Sequence, residues 1–144
     1  MSAKNIVLYA DDDIDDIQLV REAFFHYSKN VELVTVEDGL EALSFLKNLS
    51  IDEPAPCLII LDINMPRMDG KEALMKIRQM KRFEDIPSIL FTTSSQPRDK
   101  EFAEKYKAGF LTKPIDFTQM DFIAATFIEH CSDEIKKNIR RELK

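Results

Sequence analysis

The sequence predicts an α/β domain in which a parallel sheet is covered by helices on both faces. Three observations carry that reading. Five short apolar runs punctuate the chain. Segments with apolar residues at helical spacing lie between them. The third and fourth runs are apolar at consecutive positions, the pattern of central strands buried on both sides. Regular alternation of strand and helix leads to parallel pairing through crossover helices.

The elements follow in order. IVLYA (6–10) is the first strand, and Ile17, Val20, Ala23, Phe24 and Tyr27 form the stripe of a first helix. VELVTV (31–36) is the second strand, followed by a helix carrying Ala42, Phe45, Leu46 and Leu49. SIDEPAP (50–56) reads as a loop before the third strand, CLIILD (57–62), and Ala73, Leu74 and Ile77 mark the helix after it. MKRFEDIP (80–87) is a longer connection into SILFTT (88–93). Phe102, Ala103 and Tyr106 mark the fourth helix, GFLT (109–112) the fifth strand, and Met120, Ile123, Ala124 and Phe127 the fifth helix. SDEIKKNIRRELK, from Ser132, has Ile135, Ile139 and Leu143 four residues apart. That is a thin apolar stripe on a charged helix, suited to weak packing on the parent domain or a partner. The other reading is a fifth helix that runs on and frays. The expected organisation is one domain over 1–131 and a charged helical extension over 132–144, with no output domain after it.

A chain of 144 residues is long enough for one sizeable core. Its net charge of −6, from 26 acids against 20 bases, argues against nucleic acid as a partner, even with the locally basic KKNIRRELK. Cys57 and Cys131 lack metal-ligand or disulfide-framework spacing, which fits a reduced cytoplasmic protein. IVLYA is too short for a signal peptide, and no run approaches a membrane span.

In open α/β sheets, ligands bind beyond the carboxyl ends of the strands. There the first strand delivers Asp11-Asp12, the third Asp62 then Asn64, the fourth Thr92-Thr93-Ser94 and the fifth Lys113-Pro114. Each has an ordinary explanation alone, since an aspartate after a strand often caps the next helix. Asp13, Asp15 and Asp16 are assigned to that helix start. If the first and third strands are neighbours, Asp11, Asp12 and Asp62 crowd together. Two carboxylates about 5 Å apart repel by roughly 3 kcal/mol at an effective dielectric near 20. A hard divalent cation removes that penalty, and Mg²⁺ favours a few carboxylates plus waters and a phosphate.

A calcium loop on Asp11, Asp13, Asp15 and Glu22 competes for the same stretch, but Asp16 stands where its turn needs glycine. Phosphate-binding glycine loops are missing: Gly39, Gly70 and Gly109 fit neither nucleotide motif. His26 and His130 read as ordinary surface or core histidines. Asn64 stands where an aspartate-based phosphohydrolase would carry its second acid.

From about Asn5 to about Ile128 the chain resembles a response-regulator receiver domain of two-component signalling. The acidic pair after the first strand, LDINMPRMDG (61–70), IPSILFTTS (86–94) and AGFLTKP (108–114) carry the likeness, in order and at matching intervals. KRFEDIP and FTTSS are similar to single-domain regulators associated with phytochrome-type kinases. The resemblance implies a flavodoxin-like sheet of strand order 2-1-3-4-5. It implies Asp62 as phosphoacceptor and Mg²⁺ on Asp12, Asp62 and the Asn64 backbone carbonyl, with Asp11 supporting the metal through water. Thr92 and Lys113 would hold the phosphoryl group, with Thr93 a competitor if the strand ends one residue later. The Lys113–Pro114 peptide would be cis. Thr92 and Phe110 would form the switch, although Phe110 also reads as plain core.

The function expected is therefore a phosphorylation-dependent, non-enzymatic response regulator. It takes a phosphoryl group from a histidine kinase or histidine phosphotransfer protein and signals to a downstream protein target. A homodimer through the fourth and fifth helices and the tail is a further expectation. The alternatives are a Mg²⁺-dependent aspartyl-phosphate phosphohydrolase and a constitutive scaffold with an unused pocket.

Overall fold

The computed structural model describes residues 5–113 and 117–140, with the side chains of 117–121 outside the description. The strands are β1 (Asn5–Ala10), β2 (Val31–Val36), β3 (Leu58–Leu61), β4 (Ser88–Thr92) and β5 (Gly109–Thr112). The helices are α1 (Ile14–Tyr27), α2 (Gly39–Lys47), α3 (Gly70–Ile77), α4 (Pro97–Lys105), α5 (Phe117–Ile128) and α6 (Asp133–Arg140). The strands form one parallel sheet in the order β2-β1-β3-β4-β5.

Side-chain alternation along each strand builds two core layers. Leu8, Ala10, Ile59, Leu61 and Leu90 point to one face, where Ala42, Leu43, Leu46, Ala73, Leu74, Ile77 and Ala103 of α2, α3 and α4 cover them. Val7, Tyr9, Leu58, Ile60, Ile89 and Phe91 point to the other, under Val20, Phe24, Ile123, Ala124 and Phe127 of α1 and α5. The Phe24 and Phe127 rings stack at 5.9 Å, and Phe91 meets Phe127 edge-on at 5.0 Å. β3 and β4 are buried along their whole length, as their unbroken apolar runs predict. The edge strands β2 and β5 are half-buried.

Three aspartates start three helices. Asp13 accepts from the N–H groups of Asp15 and Asp16, Asp38 from Glu41 and Asp69 from Glu72. Each satisfies backbone donors that a first turn leaves unpaired. α4 begins instead with Pro97 after Gln96, without a side-chain cap. The 80–87 connection is pinned by buried Phe83 and by Arg78, which donates to the carbonyls of Tyr106, Glu84, Ile86 and Lys107.

After α5 the chain turns at 129–132 and starts α6 as a separate helix. α6 lies on its own domain. Ile139 is fully buried, Ile135 packs against the same core layer as α1 and α5, and Leu143 lies outside the described residues. The Ser28 hydroxyl donates to the Ile139 carbonyl at 3.1 Å, and the Asn30 amide donates to the Asn138 carbonyl at 2.9 Å. Two apolar residues of the tail thus face the core layer of α1 and α5. No helix among the described residues is long and apolar enough to cross a membrane.

Candidate functional site

β1 and β3 are adjacent and parallel, with Ala10 paired to Leu61. The residues after them, Asp11-Asp12 and Asp62, therefore leave the sheet side by side. One carboxylate oxygen from each of Asp11, Asp12 and Asp62 lies within 4.8 Å of the others. Asp11 and Asp62 are buried at 0% and 5% exposure, while Asp12 faces solvent. The donor set is all hard oxygen with one open side, which suits a divalent cation that keeps waters.

Lys113 follows β5 and reaches across the strand ends into this group. Its Nζ lies 2.7 Å from Asp16 Oδ2, 2.9 Å from Asp11 Oδ2 and 3.0 Å from Asp62 Oδ2. Burial by itself would push the ammonium down, but hydrogen bonds to Asp16 and Asp11 and the charges of Asp11 and Asp62 hold it above its usual range. Asp62 is pushed up to about 6: burial raises it most, Lys113 opposes, and the Asp11 charge raises it further. One buried cation is thus shared among several acids, and negative charge is left over.

The loop after β3 returns tightly under Asp62. The Gly70 N–H donates to the Ile63 carbonyl at 3.0 Å, and a Cβ on Gly70 would fall 2.0 Å from the Asp62 carbonyl oxygen. Only glycine permits that approach. Within the loop Arg67 adopts φ 63°, and the Met68 N–H donates to the Pro66 carbonyl across it at 2.6 Å. Arg67 is held in this unfavourable conformation by Asp38 at 2.5 Å.

Thr92 ends β4, fully buried, on the face shared by Leu90 and Phe110. Its hydroxyl oxygen accepts from the Ser94 N–H at 3.2 Å, and its carbonyl accepts from the Lys113 N–H at 2.8 Å. Thr93 is exposed, one residue past the strand end. Phe110 is half-buried against the core layer of α2, α3 and α4, two strand positions before Thr112. Asn64 is exposed in the loop after β3. The expected cis Lys113–Pro114 peptide falls on Pro114, outside the described residues.

Two site residues escaped the sequence reading. Asp16 was assigned to the helix start alone, yet its carboxylate turns to Lys113. Tyr9 donates its hydroxyl to Asp11 Oδ2 at 2.5 Å, and burial together with the Asp11 charge raises its pKa. A signal existed for Tyr9: a buried tyrosine needs an acceptor, and Asp11 lies two residues on, on the same side of the strand. None existed for Asp16, whose role depends on where β5 delivers Lys113.

Fold and site together define a two-component receiver domain. The family model of the response regulator receiver domain matches residues 7–124, and the chain belongs to that family. Among proteins it is similar to the response regulator Rcp1 of Synechocystis, 36% identical over 96 residues, which is 65% of each chain. The match thus spans just under two thirds of that relative. Among structures it is similar to the phosphorylated cyanobacterial phytochrome response regulator RcpA, with TM-score 0.81 and 28% identity over 92% of this chain and 96% of that one. It also resembles the Mn²⁺-bound form of Rcp1, with TM-score 0.78 and 30% identity over 89% and 97%.

Proposed function

We propose that this chain is a phosphorylation-dependent switch in which Asp62 accepts a phosphoryl group from a phosphohistidine on a histidine kinase or phosphotransfer protein. The observation that carries the reading is the convergence of Asp11, Asp12, Asp62 and Lys113 beyond adjoining strand ends. Similarity to a regulator crystallised in its phosphorylated form, and to one bound to Mn²⁺, supports it.

Asp12, Asp62 and the Asn64 carbonyl would hold Mg²⁺, with the Lys-bonded and Tyr-bonded Asp11 behind them. When bound, the ion offsets the negative charge of the transferring phosphoryl oxygens. The chain's own groups do the rest. An Asp62 oxygen approaches phosphorus in line, its O–P bond forms as the P–N bond breaks, and the imidazole leaves with that electron pair. Lys113 passes from the Asp62 carboxylate to a phosphoryl oxygen. The Thr92 hydroxyl, an acceptor from Ser94 in the unmodified chain, turns to donate to another.

The new charge draws Thr92 inward, and Phe110, on the same face, follows. The surface of α4, β5 and α5 then differs between the two states, which is what a downstream protein reads. Such a chain is a carrier or switch, without multiple turnover.

A small-molecule phosphodonor such as acetyl phosphate tests the proposal. With Mg²⁺ the wild type should gain one phosphoryl group per chain by intact mass; with EDTA, or in Asp62→Asn, it should gain none. Equal labelling of the variant would remove Asp62 as acceptor. Many turnovers of p-nitrophenyl phosphate per chain would instead mark the phosphohydrolase, which Asn64 in place of a second acid disfavours.

A further inference from the structure

Tyr9 occupies a β1 position between Thr35 of β2 and Ile60 of β3, fully buried, where its neighbours on the same face are Val7, Leu58, Ile60 and Ile89. Its ring lies 6.3 Å from that of Phe91. Phenylalanine would fill the same space, so packing does not require the hydroxyl. Burying a hydroxyl costs free energy unless it is bonded. This one donates to Asp11 Oδ2 at 2.5 Å.

An ionised carboxylate offers about four acceptor positions, two on each oxygen. On Asp11, Oδ2 meets the Tyr9 hydroxyl and Lys113 Nζ, and Oδ1 accepts from the Asp13 N–H at 2.9 Å. Among the described residues, that leaves one position open, on Oδ1. Lys113 is shared with Asp16 and Asp62, whereas the Tyr9 hydroxyl is committed to Asp11. Lys113 also leaves for a phosphoryl oxygen when Asp62 is modified, and the tyrosine is then the donor that stays.

We propose that Tyr9 is a positioning residue of the phosphoryl-accepting site, a role that depends on that assignment: its hydroxyl fixes the Asp11 carboxylate so that the open Oδ1 position is kept for a water of the bound divalent cation. The strand supplies the rigidity, since Tyr9 sits inside β1 and is paired on both sides. Without the O–H, Asp11 leans on Lys113 alone at Oδ2 and the carboxylate is free to turn.

Isothermal titration of the full chain with Mg²⁺ decides it. Tyr9→Phe keeps the ring and removes only the O–H. Loss of a group bonded to a metal-supporting carboxylate should raise the dissociation constant roughly tenfold. Phe127→Leu tests for a general effect of core packing, because the Phe127 ring meets Phe24 and Phe91 rather than an acid. It should lower the melting temperature and leave the dissociation constant at the wild-type value. Equal constants for Tyr9→Phe and wild type, or the same weakening in both variants, would overturn the proposal. If Tyr9→Phe folds poorly, the wild type labelled with ¹³C at tyrosine Cζ decides instead. The Tyr9 resonance should move with Mg²⁺ saturation while those of Tyr27 and Tyr106, at the far ends of α1 and α4, stay in place; a stationary Tyr9 resonance would overturn it. A wild type that binds Mg²⁺ and is phosphorylated on Asp62, beside an unaltered Tyr9→Phe, removes this role alone. A wild type that neither binds Mg²⁺ nor takes a phosphoryl group removes the receiver function with it.

Discussion

Lys113 is the residue on which the charge balance of the pocket turns. It is the cation against Asp11, Asp16 and Asp62, and its side chain is only 8% exposed. Removing one partner of a buried pair strands the other, at about 3–5 kcal/mol. Lys113→Ala should therefore lose stability of that order in urea unfolding with EDTA, and saturating Mg²⁺ should restore a substantial part; a loss unaffected by Mg²⁺ would mean that packing, not charge, is responsible. Asp62 gives the pH dependence. Its folded pKa of about 6 lies above its ordinary 3.8, so the folded state holds a proton that the unfolded state releases. The stabilisation is complete below about pH 4 and is lost as pH rises through about 6, by at most about 3 kcal/mol. Unfolding free energies across that range in EDTA should show the fall in wild type and lack it in Asp62→Asn. Asp11, Asp12, Asp62, Thr92 and Lys113 were legible in the sequence because each ends or directly follows a strand. Asp16 was not, because a charge in a first helical turn already has a sufficient local explanation in the helix dipole.

α4 is the element with the weakest local specification and the strongest long-range anchor. It starts without a side-chain cap, yet Asp99 in its first turn is 5% exposed. Asp99 accepts from Lys71 of α3 at 2.7 Å and from the Ser94 hydroxyl at 2.5 Å, and those bonds hold its carboxyl below the usual range. Ser94 in turn donates its N–H to Thr92. A bonded path thus runs from the pocket to the start of α4. Asp99→Ala should raise amide exchange across 97–105 while β1 and β3 stay protected, and a Lys71/Asp99 double-mutant cycle should give a coupling of about 1–2 kcal/mol. Nothing in the sequence marks this anchor, since Lys71 and Asp99 each look like solvated helix charges. The tail shows the same limit. Ile135 and Ile139 announced an amphipathic helix, but the turn at 129–132 has no glycine or proline to signal a break, and the surface that receives α6 comes from Asn5, Ser28 and Asn30 at distant positions. An eight-residue helix is not stable alone, so Ile139→Ala should free 133–140 to exchange without unfolding the sheet.

At the scale of the molecule, the acids meet because the chain reverses its direction of growth across the sheet. β2 lies on one side of β1 and β3 on the other, and the ends of β1 and β3 open at that switch point. The apolar pattern alone marks β3 and β4 as central and leaves the pairing of β1 with β3 open; the strand order, and with it the switch point, comes from the resemblance to receiver domains. A pocket built this way exists only in the folded chain. An ion that binds there must stabilise the whole domain by mass action: at ten times its dissociation constant the gain is about 1.4 kcal/mol, or about 3–5 °C for a domain of this size. The net charge of −6 offers a rival cause, since any salt screens self-repulsion. Asp12 separates the two. It is exposed and ends no helix, so Asp12→Asn should fold as well as the wild type in EDTA, and removing one of three crowded carboxylates should leave its melting temperature equal or slightly higher. Added Mg²⁺ at constant ionic strength should raise the wild-type melting temperature by several degrees and leave that of Asp12→Asn nearly unmoved. A rise of equal size in both proteins would assign the stabilisation to screening and take the metal away from this pocket.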